Sequence, residues 1–222
     1  MMQQQQMMNG QQMTMMGNQQ GQTAANTMKK STNMSTSLNH GAHELLAVKE
    51  VIGGTISLID SMVAFSPQIQ DPELKATVNR QHQFITDQYN ILVEAYSTGK
   101  DPSHPTSQYK MLEQNDITYG LKPGQPKKPA MTPNDLTDEC ISSILLNGIK
   151  ANAGAHTNAS LETTNPVVRR VLADSVPNMI EMAYELSLYQ NKKGYYQVPQ
   201  LATQDTNQML NSYSTLTNTM LQ

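Results

Sequence analysis

DPELKATV at residues 71–78 and NPVVRRVL at residues 165–172 open with the same punctuation, and that repeat decides how the chain is organised. Each begins with a side-chain acceptor followed by proline: Asp71-Pro72 and Asn165-Pro166. Proline suits the first helical position, because the opening turn leaves its N–H unpaired anyway, and the acceptor before it caps that turn. The two stretches align without gaps, placing Leu74 on Val168, Val78 on Leu172 and Ile85 on Met179. The spacing predicts a twice-used helical hairpin. Thr132-Pro133-Asn134-Asp135 carries the same start signal a third time.

Four helical segments follow outward from these starts. Residues 42–69 place Leu45, Val48, Ile52, Ile56, Ile59 and Met62 or Val63 three and four apart, and residues 72–96 place Leu74, Val78, Ile85 and Leu92 with Tyr89 and Tyr96. Residues 133–161 align Leu136, Cys140, Ile144, Gly148, Ala151 and Ala155; residues 166–190 align Val168, Leu172, Val176, Met179, Ala183 and Leu186. Each is the one-sided apolar stripe of a bundle helix. Pro67 and Pro177 predict a helix end or a kink.

The segment between the hairpins, 99–131, carries Pro102, Pro105, Pro123, Pro126 and Pro129, too many for a helix interior. Helices of ~27 residues are ~40 Å long, so this segment is expected to run the length of the bundle and return the chain to the end it left. The expected architecture is all-α: a ferritin-like four-helix bundle of two hairpins joined by one long crossover. The divisions are a Met/Gln-rich tail at 1–38, a first hairpin at 39–98, the crossover at 99–131, a second hairpin at 132–196 and a polar tail at 197–222. The first tail has no apolar period to offset the entropy of ordering it and is expected to be disordered. The second is similar but milder, with a short helix around Leu201, Met209, Leu210 and Leu216 as an option.

Composition removes several functions. A net charge of −3 and a pI near 5.9 lack the basic footprint of a nucleic-acid binder. No window approaches the roughly 20 apolar residues of a membrane span, and the start of the chain does not read as a secretory signal. With Cys140 as the only cysteine, no disulfide can form within the chain.

Residues 132–196 carry an LTD opening (136–138), the Asn165-Pro166 start followed by Arg169-Arg170, and a closing KKGYY (192–196) before Pro199. In this order and spacing they resemble the spore coat protein F family, and HELLAVKEVIGG (43–54) with IQDPELK (69–75) resembles the helical segment upstream in longer members. The resemblance implies a ferritin-like fold, a non-catalytic structural role in the bacterial endospore coat, synthesis in the mother-cell cytoplasm without a signal peptide, and other coat proteins or further copies of the chain as partners. It implies no catalytic residue, no small-molecule substrate and no cofactor. The alternative from another class is a degenerate ferritin-like metal-binding protein or oxidase.

Di-iron chemistry needs inward carboxylates and Glu-x-x-His pairs. The chain has no such pair: Asn79 precedes His82 by three and Ala153 precedes His156 by three. Glu181 and Glu185 fall off the apolar stripe and read as a solvated edge, so no metal ligand is assigned. His40, His43 and His104 read as surface residues. Cys140 lies on the predicted stripe, either as a small buried hydrophobe or as a partner in an intermolecular disulfide; no helix N-terminus or base is evident to activate it. Gly53-Gly54 faces the small residues Gly148, Ala151, Gly154 and Ala155 if two helices approach closely. Met1-Met2, Met7-Met8 and Met15-Met16 read as low complexity, or as soft-metal or oxidant-accepting thioethers. The Gln-rich tail, Lys29-Lys30, Lys127-Lys128, Lys192-Lys193 and Tyr195-Tyr196 supply the side chains that amide and dityrosine cross-linking require.

Overall fold

The computed structural model describes residues 40–216. Expectations for the N-terminal tail, including its Met pairs, Gln run and Lys29-Lys30, lie outside the described residues, as do residues 217–222.

Among the described residues the secondary structure is helical, with one isolated bridge between Tyr119 and Val198. The helices are α1 (Ala42–Phe65), α2 (Pro72–Thr98), α3 (Asp138–Glu162), α4 (Pro166–Lys192) and a short α5 (Thr203–Leu210). Both proline-preceded caps form as the sequence predicts. Asp71 Oδ1 accepts from Glu73 N at 2.9 Å, and Asn165 Oδ1 accepts from Val167 N and Val168 N at 2.9 and 3.1 Å. At the far end of α2, Gly99 takes φ 64° and donates to Ala95 O, a left-handed stop that favours glycine.

The third start behaves differently. Thr132 and Asp135 make a capping box, but it closes only a 3₁₀ turn, Pro133–Asp135. Leu136 then turns extended, and Thr137 opens α3 by accepting from Cys140 N at 3.4 Å. The buried face of α3 also differs from the predicted stripe. Ile141, Leu145, Leu146 and Ile149 fill the core, while Ile144 is 42% exposed and Ala151 is exposed. The face of α1 is turned as well: Val48, Val51, Leu58 and Met62 are buried, whereas Leu45, Ile56 and Val63 lie on the surface. Pro67 ends α1 through the 3₁₀ turn Ser66–Gln68. Pro177 does not end α4, which continues through it.

Helices α1 and α2, α1 and α3, α2 and α4, and α3 and α4 make the principal contacts, so α1 lies diagonal to α4 and α2 to α3. Two apolar clusters fill the centre. One is built on Leu58, Met62, Ile85, Leu145, Met182 and Leu186, the other on Val48, Val51, Leu92, Val168 and Leu172. The close approach expected of small residues is met at Gly54, whose added Cβ would touch Asn152 Oδ1 at 3.4 Å, and at Gly148, 3.0 Å from Leu58 Cδ1. Gly53 and Gly154 have open space around them.

The chain leaves α2 beside the start of α4, where Asn165 Nδ2 donates to Gly99 O at 3.2 Å. It enters α3 at the opposite end, where Asp138 accepts from Gln70 N and Asp71 N at 3.0 and 2.9 Å. The crossover therefore runs the length of the bundle once and does not return to the end it left. A parallel placement of α2 and α3 requires this, because both helices must be entered from the same end.

Candidate functional site

The crossover lies on α4 as an extended strap, held by side-chain amides that pair with its backbone as a neighbouring strand would. Asn178 accepts from Tyr109 N at 2.8 Å and donates to Ser107 O at 2.9 Å. Asn191 accepts from Thr118 N at 2.8 Å and donates to Thr118 O at 3.0 Å. Thr106 adds a bond to Asp174 at 2.9 Å.

Between these amides sits Glu185, fully buried and not the solvated edge expected from its place off the apolar stripe. The strap explains the difference: it covers the face of α4 that carries Asn178, Met182, Glu185 and Tyr189, leaving this helix buried on two sides. Four donors converge on the carboxylate. Arg80 Nη2 and Leu112 N reach Oε1 at 2.5 and 2.8 Å; Tyr109 Oη and Gln81 Nε2 reach Oε2 at 2.5 and 3.0 Å. Arg80 Nε also donates to Tyr109 Oη at 3.3 Å, and Phe84 meets the Tyr109 ring edge-on at 5.2 Å. A carboxylate has about four lone-pair sites, so this one is saturated by the chain itself. Burial pushes its pKa up, but the bonds from Tyr109, Leu112, Gln81 and Arg80 outweigh it and hold the group below its ordinary value.

A second buried carboxylate, Glu44, ties the start of α1 to the α3–α4 turn. It accepts from Thr164 Oγ1 at 2.6 Å, Thr164 N at 2.8 Å and Asn165 N at 3.0 Å, with His40 Nδ1 2.7 Å away. Burial raises its pKa; His40, Thr164 and Asn165 more than reverse that. Sequence reasoning assigned nothing to Glu44, Arg80, Gln81 or Tyr109. The available signal was positional: Glu44 stands four residues before Val48, and Gln81 falls between Val78 and Ile85 on a core face.

Farther in, Thr55, Phe84, Gln88, His156, Asn178, Met179 and Met182 help line a cavity of about 10 Å³, room for about one water. His156 is buried with Nδ1 2.9 Å from Asn152 O, and burial holds its pKa down. Neither Gln88 Oε1 nor Nε2 has a protein partner. A buried amide without partners is a net cost, so Gln88→Met should raise stability by about 1 kcal/mol, read as a higher urea midpoint with unchanged slope. A lower midpoint would mean the amide is satisfied in solution.

The other candidates are dispersed. Glu181 and His82 are half-buried, His43 is exposed, and His104 is a surface group 3.3 Å from Asp87. His40 is partly buried against Glu44 and not a free surface group. Cys140 is half-buried in the first turn of α3, so a helix N-terminus does lie beside it; its place on a buried stripe is not realised. Lys192 and Lys193 are fixed at the end of α4 by Glu73 at 2.6 Å and Asp71 at 2.7 Å. Tyr195 packs against Tyr189, with ring centres 6.2 Å apart, while Tyr196 is 51% exposed. Among the described residues, no three His, Cys, Asp or Glu side chains are grouped to hold a metal, and no helix is long and apolar enough to cross a membrane.

These features define an all-helical bundle strapped by its own crossover, with its buried carboxylates engaged in joining segments of the chain. Residues 137–199 match the Coat F domain. The spore coat protein F-like protein YhcQ of Bacillus subtilis (strain 168) is 49% identical over 174 residues, covering 78% of this chain and 80% of that protein. A crystal structure of a candidate spore coat protein from Bacillus halodurans C-125 matches with a TM-score of 0.53 at 16% identity, over 74% of this chain and 96% of that one. The chain belongs to the spore coat protein F family.

Proposed function

We propose that this protein is a non-catalytic structural component of the endospore coat, made in the mother cell and held in the coat by contacts with other coat proteins. The observation that carries this is the saturation of Glu185. The carboxylate of Glu185, buried inside the bundle, has every acceptor engaged by Arg80, Gln81, Tyr109 and Leu112, so it holds the chain together and has no free acceptor for a substrate. The relation to the B. subtilis spore coat protein F-like protein supplies the setting. On this reading residues 39–98 and 132–196 form the load-carrying hairpins, 99–131 locks them together, and the Gln-rich tail at 1–38 serves attachment.

Fractionation of purified spores tests the proposal. The chain should partition with the detergent-insoluble coat, and deletion of residues 1–37 should leave helicity and melting nearly unchanged while raising the extractable fraction. Recovery of the full chain in the soluble mother-cell fraction alone would rule out a coat role. Firm retention of the truncated chain would move the attachment from the tail to the bundle.

A further inference from the structure

The second half of the crossover, LKPGQPKKPA at residues 121–130, contributes nothing to the core, and every residue in it is exposed. It is nonetheless held at both ends. At one end Gly120 N donates to Val198 O at 2.8 Å, and Lys122 exchanges bonds with the Gln197 side chain. At the other end Met131 N and Thr132 N donate to Asp135 Oδ2 at 3.1 and 2.8 Å. Between the two clamps, no backbone group of residues 123–130 is hydrogen-bonded among the described residues, and no helix or strand forms.

Its conformation is strongly restricted by its own sequence. Pro123, Pro126 and Pro129 each lock φ near −65°, and Lys122, Gln125 and Lys128, standing before them, are pushed toward extended or polyproline II geometry. Between Lys122 and Pro129, only Gly124 and Lys127 escape both restrictions. In polyproline II geometry, which repeats every three residues, the three prolines would share one edge, Lys122, Gln125 and Lys128 a second, and Gly124, Lys127 and Ala130 the third. Lys127 ties this stretch to the bundle, its Nζ lying 2.6 Å from both Glu139 Oε1 and Tyr195 O. The three prolines and Lys122, Gln125 and Lys128 are all exposed.

We propose that residues 122–129 are a presented polyproline II ligand, read by a partner protein through an aromatic-lined groove with an acidic rim, as grooves of the SH3 type read such segments. Pro123-Gly124-Gln125-Pro126-Lys127-Lys128 supplies prolines three apart followed by a basic residue. Holding the segment at both ends removes much of the ordering entropy that a free peptide loses on binding. As a contact for assembly within the coat, the inference rests on the functional reading above.

The full chain, titrated against a purified SH3-fold domain that reads prolines three apart followed by a basic residue, should bind saturably. Pro123→Ala/Pro126→Ala should weaken binding at least tenfold and Lys128→Gln at least threefold. Both variants should melt like the parent, because the segment lacks core contacts. In sporulating cells, a photo-crosslinker at Gln125 should give a discrete adduct with a protein partner, lost with the double proline variant, whereas the same probe at exposed Asn158 should not. Absence of saturable binding, or indifference to the proline changes, overturns the proposal. Binding that follows lysine and salt alone also overturns it, since that marks a strip taking any polyanion. Saturable binding in vitro without a proline-dependent adduct in spores overturns the role in assembly. Spore fractionation separates the two ideas: an adduct from a chain outside the coat fraction would uphold the arm and refute the coat role, and a coat-bound chain whose arm fails these tests would do the reverse.

Discussion

Glu185→Ala should destabilise the fold by about 3–5 kcal/mol, the range for breaking a buried charge pair from one side. The carboxylate is the meeting point of three segments. Its removal leaves the guanidinium of Arg80 facing a void, the Tyr109 hydroxyl without its 2.5 Å acceptor and the Leu112 N–H unpaired. The strap should loosen before the bundle opens. Amide hydrogen exchange should therefore accelerate first in residues 106–118, and α1, remote from the cluster, should follow only with global unfolding. Glu185→Gln keeps the shape but removes the charge and one acceptor, so its loss should be smaller. A melting curve unchanged in Glu185→Ala would show that the strap and α4 are held by their other bonds, those of Asn178, Asn191 and Thr106 among them.

Glu44→Ala should cost about 3 kcal/mol, from charge-assisted hydrogen bonds lost to buried donors. Without it, Thr164 N and Asn165 N at the α3–α4 turn have no acceptor, and the start of α1 is left with the bond from Gly41 N to Thr164 Oγ1 in that turn. Glu44, Glu185 and Asp71 all have carboxyls held below their ordinary values, Asp71 chiefly by Lys193. A depressed carboxylate stabilises the fold above its unfolded pKa and loses that contribution as pH falls through its folded value. His156, depressed by burial, adds a loss that begins below its ordinary value of 6.5. Stability should thus fall modestly below pH 6.5 and steeply below about 4.5, the ordinary value for Glu44 and Glu185. In Glu44→Ala or Glu185→Ala the steep limb should be shallower, since each removes one of the titrating groups. Parallel acid limbs in parent and variants would refute this assignment.

The legible parts of the fold were those encoded locally. Asp71-Pro72 and Asn165-Pro166 specify helix starts through groups within three residues of each other, so the starts of α2 and α4 could be read directly. The stripes of α2 and α4 were also legible, because Leu74, Val78, Ile85, Leu92 and Val168, Leu172, Met179, Leu186 keep one face over the whole helix. For α1 and α3 the sequence offers two adjacent apolar faces. Ile52, Ile56 and Ile59 compete with Val51, Leu58 and Met62, and Ile144 competes with Ile141 and Leu145. Periodicity cannot choose between faces that differ by one residue; packing against α1 and α4 made the choice in α3.

The sequence by itself determined the helical class, the two proline-led helix starts, the family and the proline spacing of the exposed arm, because each rests on near neighbours in the chain. Only the tertiary structure decided that Glu44 and Glu185 are buried, that Arg80 and Tyr109 are the partners of Glu185 and Thr164 and Asn165 those of Glu44, and that the crossover lies along α4 as a strap. Arg80 and Tyr109 meet a carboxylate 105 and 76 residues away. Whether a glutamate faces water or the interior depends on what covers it, and the covering segment here is one that helical periodicity cannot see.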